Sequence, residues 1–214
     1  MLGCGSACGE GWSIEITPDG SVWLGFDNGG LLRFDGSDWE IERPLGGDVD
    51  HGVISLAANR DGVLWAEIWV GDGPPSPRTD LREERRLARF DGQAWEVFSW
   101  APAVQGIAAV GSDGAVWLTD FYNDQDHDGR LGGPDLSEVR FKHLPVSFDG
   151  ERWRRYPALL MDVASDPQNQ AEDHVLGASV MAAGPDGSIW VRGDAHVRTS
   201  GLYVITPEAV AGTE

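Results

Sequence analysis

The residues best suited to chemistry lie in one acidic segment, DQDHDGRLGGPD, at positions 124–135. Its candidate metal ligands, one of them through a backbone carbonyl, are Asp124, Asp126, Asp128, Arg130 and Asp135. A hard divalent cation such as Ca²⁺ takes roughly six to eight oxygen ligands, and alternate carboxylates can surround it where a glycine such as Gly129 permits a sharp bend. The spacing therefore predicts a calcium-binding loop, with Ca²⁺ as a structural cofactor.

The loop matches the ligand spacing of an EF-hand calcium loop, with two departures. The last ligand is Asp135 rather than a bidentate glutamate, and Gly133–Pro134 prevents an ordinary exit helix. These departures favour a structural site weaker than a sensor site. Without the cation, neighbouring carboxylates would repel one another and the 121–145 segment should loosen. The alternative is an acidic loop that holds no cation.

Three histidines are candidate general bases because they lie outside the repeated phrases described below: His51, His174 and His196. None belongs to a motif with a defined role, and each is more simply a solvated loop histidine. Nucleophile motifs, phosphate-binding glycine loops and cysteine-based zinc spacings do not occur in the sequence. The sequence therefore predicts no catalytic residue.

The two cysteines, Cys4 and Cys8, lie in a segment rich in glycine, serine and alanine. They could close a small disulfide loop in an oxidising compartment, or remain reduced in a frayed tail. We predict that residues 1–11 form a flexible leader.

Charge and hydropathy exclude some classes of partner. The formal net charge is -19 and Lys142 is the only lysine, so the surface should repel nucleic-acid phosphates. No apolar stretch approaches the roughly 18 residues that a membrane helix needs. We therefore expect neither nucleic acid nor a membrane segment.

One phrase occurs four times: PDGSVW at 18–23, RDGVLW at 60–65, SDGAVW at 112–117 and PDGSIW at 185–190. Asp-Gly favours a two-residue hairpin turn, because glycine adopts positive φ without a Cβ penalty. Large rings at one register of a strand suit the contact between stacked sheets. The tryptophans of the phrase are therefore predicted to pack between neighbouring sheets: Trp23, Trp65, Trp117 and Trp190.

A second phrase follows the first in three of the four units: RFDGSDW at 33–39, RFDGQAW at 89–95 and SFDGERW at 147–153. Two hairpins in series make a four-stranded antiparallel meander, which is one blade of a β-propeller. The sequence thus predicts an all-β propeller domain at 12–214, either a small closed ring or an arc of a larger one. Its four blades are predicted at about 12–43, 53–100, 106–156 and 178–214.

The stretch DGSVWLGFDNGGLLRFDGSDW at 19–39 resembles the two-component regulator propeller repeat, and RRLARFDGQAWEVF and SFDGERWRRY resemble it again. The resemblance implies a sensor region that binds a ligand, and it favours an extracytoplasmic location. The phrase GPDGSIWV at 184–191 is also similar to repeats of streptogramin B lyase, which implies metal-assisted elimination.

Three long insertions separate predicted strands, at 71–86, 121–145 and 157–177. In an up-and-down blade they emerge on one face, which favours a binding surface there over drift at tolerant loops. We predict a non-enzymatic ligand-binding or sensor propeller, with a small molecule, glycan or protein as ligand. The alternatives are a propeller lyase and a structural fragment of a larger propeller. An open ring should self-associate.

Overall fold

Short strands separated by Asp-Gly turns form the chain, as its repeated phrases predict. In the computed structural model the described residues contain fifteen β-strands and no helix. The described residues are 11–26, 30–47, 51–70, 85–99, 104–123, 141–156, 176–195 and 201–206. They belong to two compact units, Met1–Ala101 and Pro102–Glu214, which we call unit 1 and unit 2.

Unit 1 contains two antiparallel sheets of four strands, each in sequence order. Blade one consists of β1 (Gly11–Ile16), β2 (Val22–Phe26), β3 (Gly30–Phe34) and β4 (Trp39–Glu42). Blade two consists of β5 (His51–Ala58), β6 (Leu64–Val70), β7 (Arg85–Phe90) and β8 (Trp95–Ser99).

Unit 2 contains the other two sheets, again antiparallel and in sequence order. Blade three consists of β9 (Val104–Val110), β10 (Val116–Asn123), β11 (Phe141–Phe148) and β12 (Trp153–Arg155). Blade four consists of β13 (Leu176–Ala183), β14 (Ile189–Ala195) and β15 (Gly201–Ile205).

The predicted fold class, an all-β propeller built of antiparallel blades, is confirmed by this strand order. Blade four has three strands in the part of the chain that the structure describes, and residues 207–214 lie outside it. Blade three has longer central strands than predicted, because the ladder between β10 and β11 continues to the pair Asn123 and Phe141.

The first Asp-Gly turn of each blade differs from the prediction of a two-residue loop. Thr17 N–H donates to the Ser21 carbonyl at 3.0 Å, and Gly20 N–H donates to the Thr17 carbonyl at 2.9 Å. Gly20 has a φ of 86°. This is a three-residue loop, a tight turn followed by a left-handed glycine, and the other three phrases repeat both bonds. The aspartate therefore lies inside the turn, where its carboxylate accepts the Ser21 N–H at 3.0 Å.

The second Asp-Gly turn is the two-residue loop that the sequence predicts. Gly36, with a φ of 101°, takes the first central position, and Asp35 N–H donates to the Asp38 carbonyl at 3.2 Å. The Asp35 carboxylate accepts the backbone N–H groups of Ser37 at 2.8 Å and Asp38 at 2.9 Å. Asp91 in blade two and Asp149 in blade three accept hydrogen bonds from the equivalent backbone N–H groups, those of the residues two and three positions later. Each of these carboxylates therefore caps its own turn.

Turn capping makes the stability of the blades depend on pH. The backbone N–H groups of Asp38 and Ser37 lower the pKa of Asp35 to about 2, and those of Ala94 and Gln93 lower the pKa of Asp91. A lowered pKa in the folded state contributes stability above the unfolded pKa and loses it as pH falls through the folded value. We expect unfolding by urea to become easier as pH falls from about 4 towards about 2. Asp35→Asn, which keeps the acceptor oxygen but cannot titrate, should flatten that dependence, and equal slopes in the two proteins would contradict the prediction.

The core of unit 1 lies between its two blades. Trp23 is 1% exposed and packs edge-on against Phe90 and Trp95, with ring centroids 5.2 and 5.9 Å away. The Trp95 indole donates to Glu42 Oε2 of blade one at 3.0 Å. The backbones also approach closely, since a Cβ added to Gly25 would lie 2.7 Å from Val53 Cγ1. Side chains of one repeat thus fix the position of the next.

The core of unit 2 is built in the same way. Trp117 stacks on Tyr156 with ring centroids 4.7 Å apart, next to Ile189, Val191 and Ile205 of blade four. The Val180 N–H of blade four donates to Thr119 Oγ1 of blade three at 3.1 Å. A backbone donor of an inner strand is therefore satisfied by the neighbouring blade, as Leu56 N–H is by Ser13 Oγ in unit 1 at 2.9 Å.

The four repeat tryptophans do not all pack as predicted. Trp23, Trp65 and Trp117 are buried, whereas Trp190 is 39% exposed. Residues alternate in β14, so Ile189 and Val191 face blade three and Trp190 lies on the opposite side. Within unit 2, no described strand covers that side of blade four.

Candidate functional site

The predicted calcium loop lies outside the described residues, as do its ligands Asp124, Asp126, Asp128, Arg130 and Asp135. His174, His196, Cys4 and Cys8 also lie outside them. Within the described ranges, no group of three or more His, Cys, Asp or Glu side chains could hold a metal ion.

His51 is the only one of the three candidate histidines that lies within the described ranges, and it is not a loop residue. It is the first residue of β5 and is buried. Its Nε2 atom faces blade one, 3.3 Å from the position of a Cβ built on Gly30. The prediction of a solvated loop histidine was therefore wrong at this position, because β5 begins there and blade one covers it.

The strand order fixes where the insertions leave the sheets. In blade two, β6 ends at Val70 and β7 begins at Arg85, next to the start of β5 at His51. In blade three, the segments after β10 and after β12 leave the same edge of the sheet, because alternate strands run antiparallel. Arg85 and Arg86, predicted to be part of an insertion, belong to β7.

A buried charged pair lies at this edge of blade two. Glu67 on β6 is 0% exposed, and its Oε1 lies 2.7 Å from Arg85 Nη1 on β7. Its Oε2 accepts the Ser55 hydroxyl of β5 at 2.9 Å. The register places Ser55 and Leu87 opposite Glu67, and Trp69 opposite Arg85, so three strands supply the cluster. We call Ser55, Glu67, Trp69 and Arg85 the rim cluster.

Trp69 is the fourth member of the rim cluster. It lies two residues after Glu67 on β6, so the two side chains are on the same face of the strand. It is 6% exposed, and its indole Nε1 has no hydrogen-bond partner among the described residues. A buried donor without an acceptor costs roughly 1–3 kcal/mol. The cluster therefore presents a donor that an oxygen atom from outside these strands could satisfy.

The geometry of the rim cluster suits binding better than proton transfer. Both oxygens of Glu67 already accept bonds, one of them from a guanidinium, so the carboxylate is held as a charged acceptor. A general base needs a free lone pair within reach of its substrate. The cluster can orient a polar group beside the Trp69 ring, and nothing in it activates a nucleophile.

The sequence of β6 contains a signal for this cluster. In the strand segment LWAEIWV, Glu67 interrupts an otherwise apolar run. A carboxylate within such a run is buried only with a partner. Arg85 and Arg86 are the first two residues of β7. The register of β7 against β6 places Arg85, and not Arg86, on the same face of the sheet as Glu67.

Comparison with known proteins yields low identities. No family model matches the sequence, and no curated protein matches it significantly. A gluconolactonase from Xanthomonas campestris is 11% identical, with a TM-score of 0.46 over 91% of this chain and 61% of that protein. Virginiamycin B lyase from Staphylococcus aureus is 11% identical, with a TM-score of 0.40 over 95% of this chain and 71% of the lyase. An α-L-arabinofuranosidase from Clostridium thermocellum is 13% identical, with a TM-score of 0.34 over 84% of this chain and 59% of that enzyme.

This chain thus spans 61% of the length of the gluconolactonase, and the assignment to the propeller fold rests on the strand pairing described above. Among the described residues, no helix has the length and apolar character needed to cross a bilayer.

Proposed function

We propose that this chain is a non-enzymatic ligand-binding propeller whose ligand is received at the rim cluster of blade two. The observation that carries the proposal is the buried Trp69 N–H, which lacks an acceptor among the described residues and belongs to the residue opposite Arg85 of the Glu67–Arg85 ion pair. A ligand oxygen accepting that N–H would remove the penalty of the unpaired donor. The ring of Trp69 would also contribute apolar contact.

The class of ligand follows from these groups. It carries an acceptor oxygen next to a flat apolar surface, which describes a sugar ring, a uronic acid or a peptide carbonyl. The resemblance of the repeat phrases to two-component regulator propellers supports a sensor role outside the cytoplasm.

The test is a thermal-shift screen of hexoses, hexuronic acids and short peptides, followed by titration of any compound that raises the melting temperature. Trp69→Phe keeps the ring and removes the donor, so it should weaken binding about tenfold, the effect of losing one hydrogen bond in a buried site. Trp190→Phe, at an exposed tryptophan of unit 2, is the matched control and should leave affinity unchanged. Binding that is insensitive to Trp69→Phe would overturn the proposal. Consumption of the bound compound would instead favour a metal-assisted lyase.

We also propose that Ca²⁺ orders the 121–145 segment through the acidic loop. The spacing of Asp124, Asp126 and Asp128 supports this, and so does the ladder that holds the two ends of the loop together at the pair Asn123 and Phe141. Calcium at about a hundred times its dissociation constant should stabilise unit 2 by about 2.7 kcal/mol, a rise of roughly 10 °C in its melting temperature.

Differential scanning calorimetry with calcium and with a chelator measures this shift. Asp126→Ala should abolish it, whereas Asp35→Asn, which removes a carboxylate from blade one, should not. An unchanged melting temperature of the parent protein in calcium would remove the metal site and leave the proposal for the rim cluster standing.

A further inference from the structure

The contact between the two blades of unit 1 joins one tryptophan to a pair of aromatic rings. The repeat tryptophan of blade one, Trp23, packs against the Phe90–Trp95 pair of blade two. That pair is formed by the second Asp-Gly hairpin, whose strands place Phe90 directly opposite Trp95, with ring centroids 5.1 Å apart. A tryptophan from the first turn of one blade thus meets a Phe–Trp pair from the second turn of the next.

Blade one also carries such a Phe–Trp pair, and among the described residues of unit 1 no tryptophan of another blade packs against it. Phe34 lies opposite Trp39, with ring centroids 5.0 Å apart, and Trp39 is 37% exposed. The pair belongs to a row across all four strands, which also contains Ile16 and Val22. Ile16 is 61% exposed, and the next row on the same side adds the exposed Ile14 and Ile41. We call this side of blade one the acceptor face.

Blade four carries a repeat tryptophan, Trp190, and among the described residues of unit 2 no Phe–Trp pair packs against it. Trp190 lies on the second strand of blade four, between Ala182 of the first strand and Val204 of the third. Trp23 has the same position in blade one, on the second strand of its sheet. Val204 and Leu202, on the same side, are also exposed. We call this side of blade four the donor face.

Blade four thus exposes a repeat tryptophan and blade one exposes the tryptophan of a Phe–Trp pair, the two kinds of group that meet between the blades of unit 1. Exposed apolar surfaces of this kind are typical of protein–protein contacts. We propose that the donor face of one molecule docks on the acceptor face of a second copy, with Trp190 against the partner's Phe34–Trp39 pair. The contact continues the blade-to-blade packing of unit 1 across two molecules. Because the two surfaces differ, the interface is head-to-tail and builds rings or filaments.

The proposal is tested by sedimentation of the parent protein and of two variants. The parent should associate with increasing concentration. Trp190→Ser removes the donor tryptophan and Trp39→Ser removes half of the acceptor pair, so each should raise the dissociation constant about thirtyfold or more, as for a buried aromatic hot spot. Both residues are exposed, so both variants should fold, which circular dichroism checks.

Mixing the two variants separates a head-to-tail contact from the other arrangements. The Trp190→Ser protein keeps an intact acceptor face and the Trp39→Ser protein keeps an intact donor face. An equimolar mixture should therefore form a 1:1 heterodimer with the affinity of the parent contact, while each variant alone stays monomeric. Val97→Ser, at an exposed apolar residue of blade two outside both faces, should associate like the parent.

Two results would overturn the proposal. The parent could stay monomeric up to its solubility limit, which would mean that another segment or another protein covers these faces. Alternatively, the mixture could fail to form a heterodimer although the parent associates, which would indicate a different interface. Neither result bears on ligand binding at the rim cluster, so the two proposals can fail separately.

Discussion

Replacing Arg85 with methionine should lower the free energy of unfolding of unit 1 by about 3–5 kcal/mol. Glu67 is fully buried, and the guanidinium 2.7 Å from its Oε1 is the countercharge that the structure provides. Methionine fills a similar volume but leaves the carboxylate buried without that charge. Breaking one side of a buried pair costs far more than the pair itself contributes, because the remaining ion keeps its full desolvation penalty.

Urea denaturation followed by tryptophan fluorescence measures this loss, and two further variants test its cause. Replacing both partners, with Glu67→Leu and Arg85→Met together, should restore most of the lost stability, because no charge then remains buried. Glu96→Gln breaks another Arg–Glu pair that involves β7, Arg89 with Glu96, in which both side chains are partly exposed. That change should cost at most about 1 kcal/mol. Equal losses for Arg85→Met and Glu96→Gln would show that burial does not govern the pair.

Trp23→Ala should destabilise unit 1 by about 3–5 kcal/mol, whereas Trp190→Ala should change the stability of unit 2 by no more than about 0.5 kcal/mol. The two residues hold the same place in the repeated phrase, so the pair is its own control. Trp23 is buried against Phe90 and Trp95, and its removal leaves a cavity that the sheets cannot close. Trp190 lies on the uncovered side of blade four.

Both variants are compared by chemical denaturation at protein concentrations below self-association, since Trp190 also lies on the donor face. Similar losses for the two substitutions would mean that Trp190 is covered in solution. That outcome would contradict the exposure on which the proposed head-to-tail contact rests.

Local sequence predicted the blades because the turn chemistry is local. Asp35 and Gly36 define their hairpin within four residues, through bonds from the carboxylate to the next N–H groups. The three-residue form of the first turn was missed, because Asp-Gly fits both loop lengths and the bond from Thr17 N–H to the Ser21 carbonyl decides between them. The position of a turn was thus predictable, and its exact pairing was not.

The rim cluster and the exposure of Trp190 depend on contacts between distant residues. Glu67 finds Arg85 eighteen positions away, and only the register of β6 against β7 selects Arg85 over Arg86. The phrase PDGSIW reads like the other three, yet its tryptophan is exposed because burial depends on a neighbouring blade rather than on the phrase. The calcium loop remains a prediction, since residues 124–135 lie outside the described part of the chain.

The close approach of Gly25 to Val53 means that substitutions in one repeat restrict those allowed in the next. A methyl group at position 25 would meet Val53 Cγ1 at 2.7 Å and the Val53 carbonyl oxygen at 3.2 Å. A mutation that enlarges residue 25 is therefore tolerable only alongside a smaller residue at position 53 and a shift of the strand. Homologous chains should vary at these two sites together, and a gene duplication that copied one repeat without its neighbour would separate a matched pair.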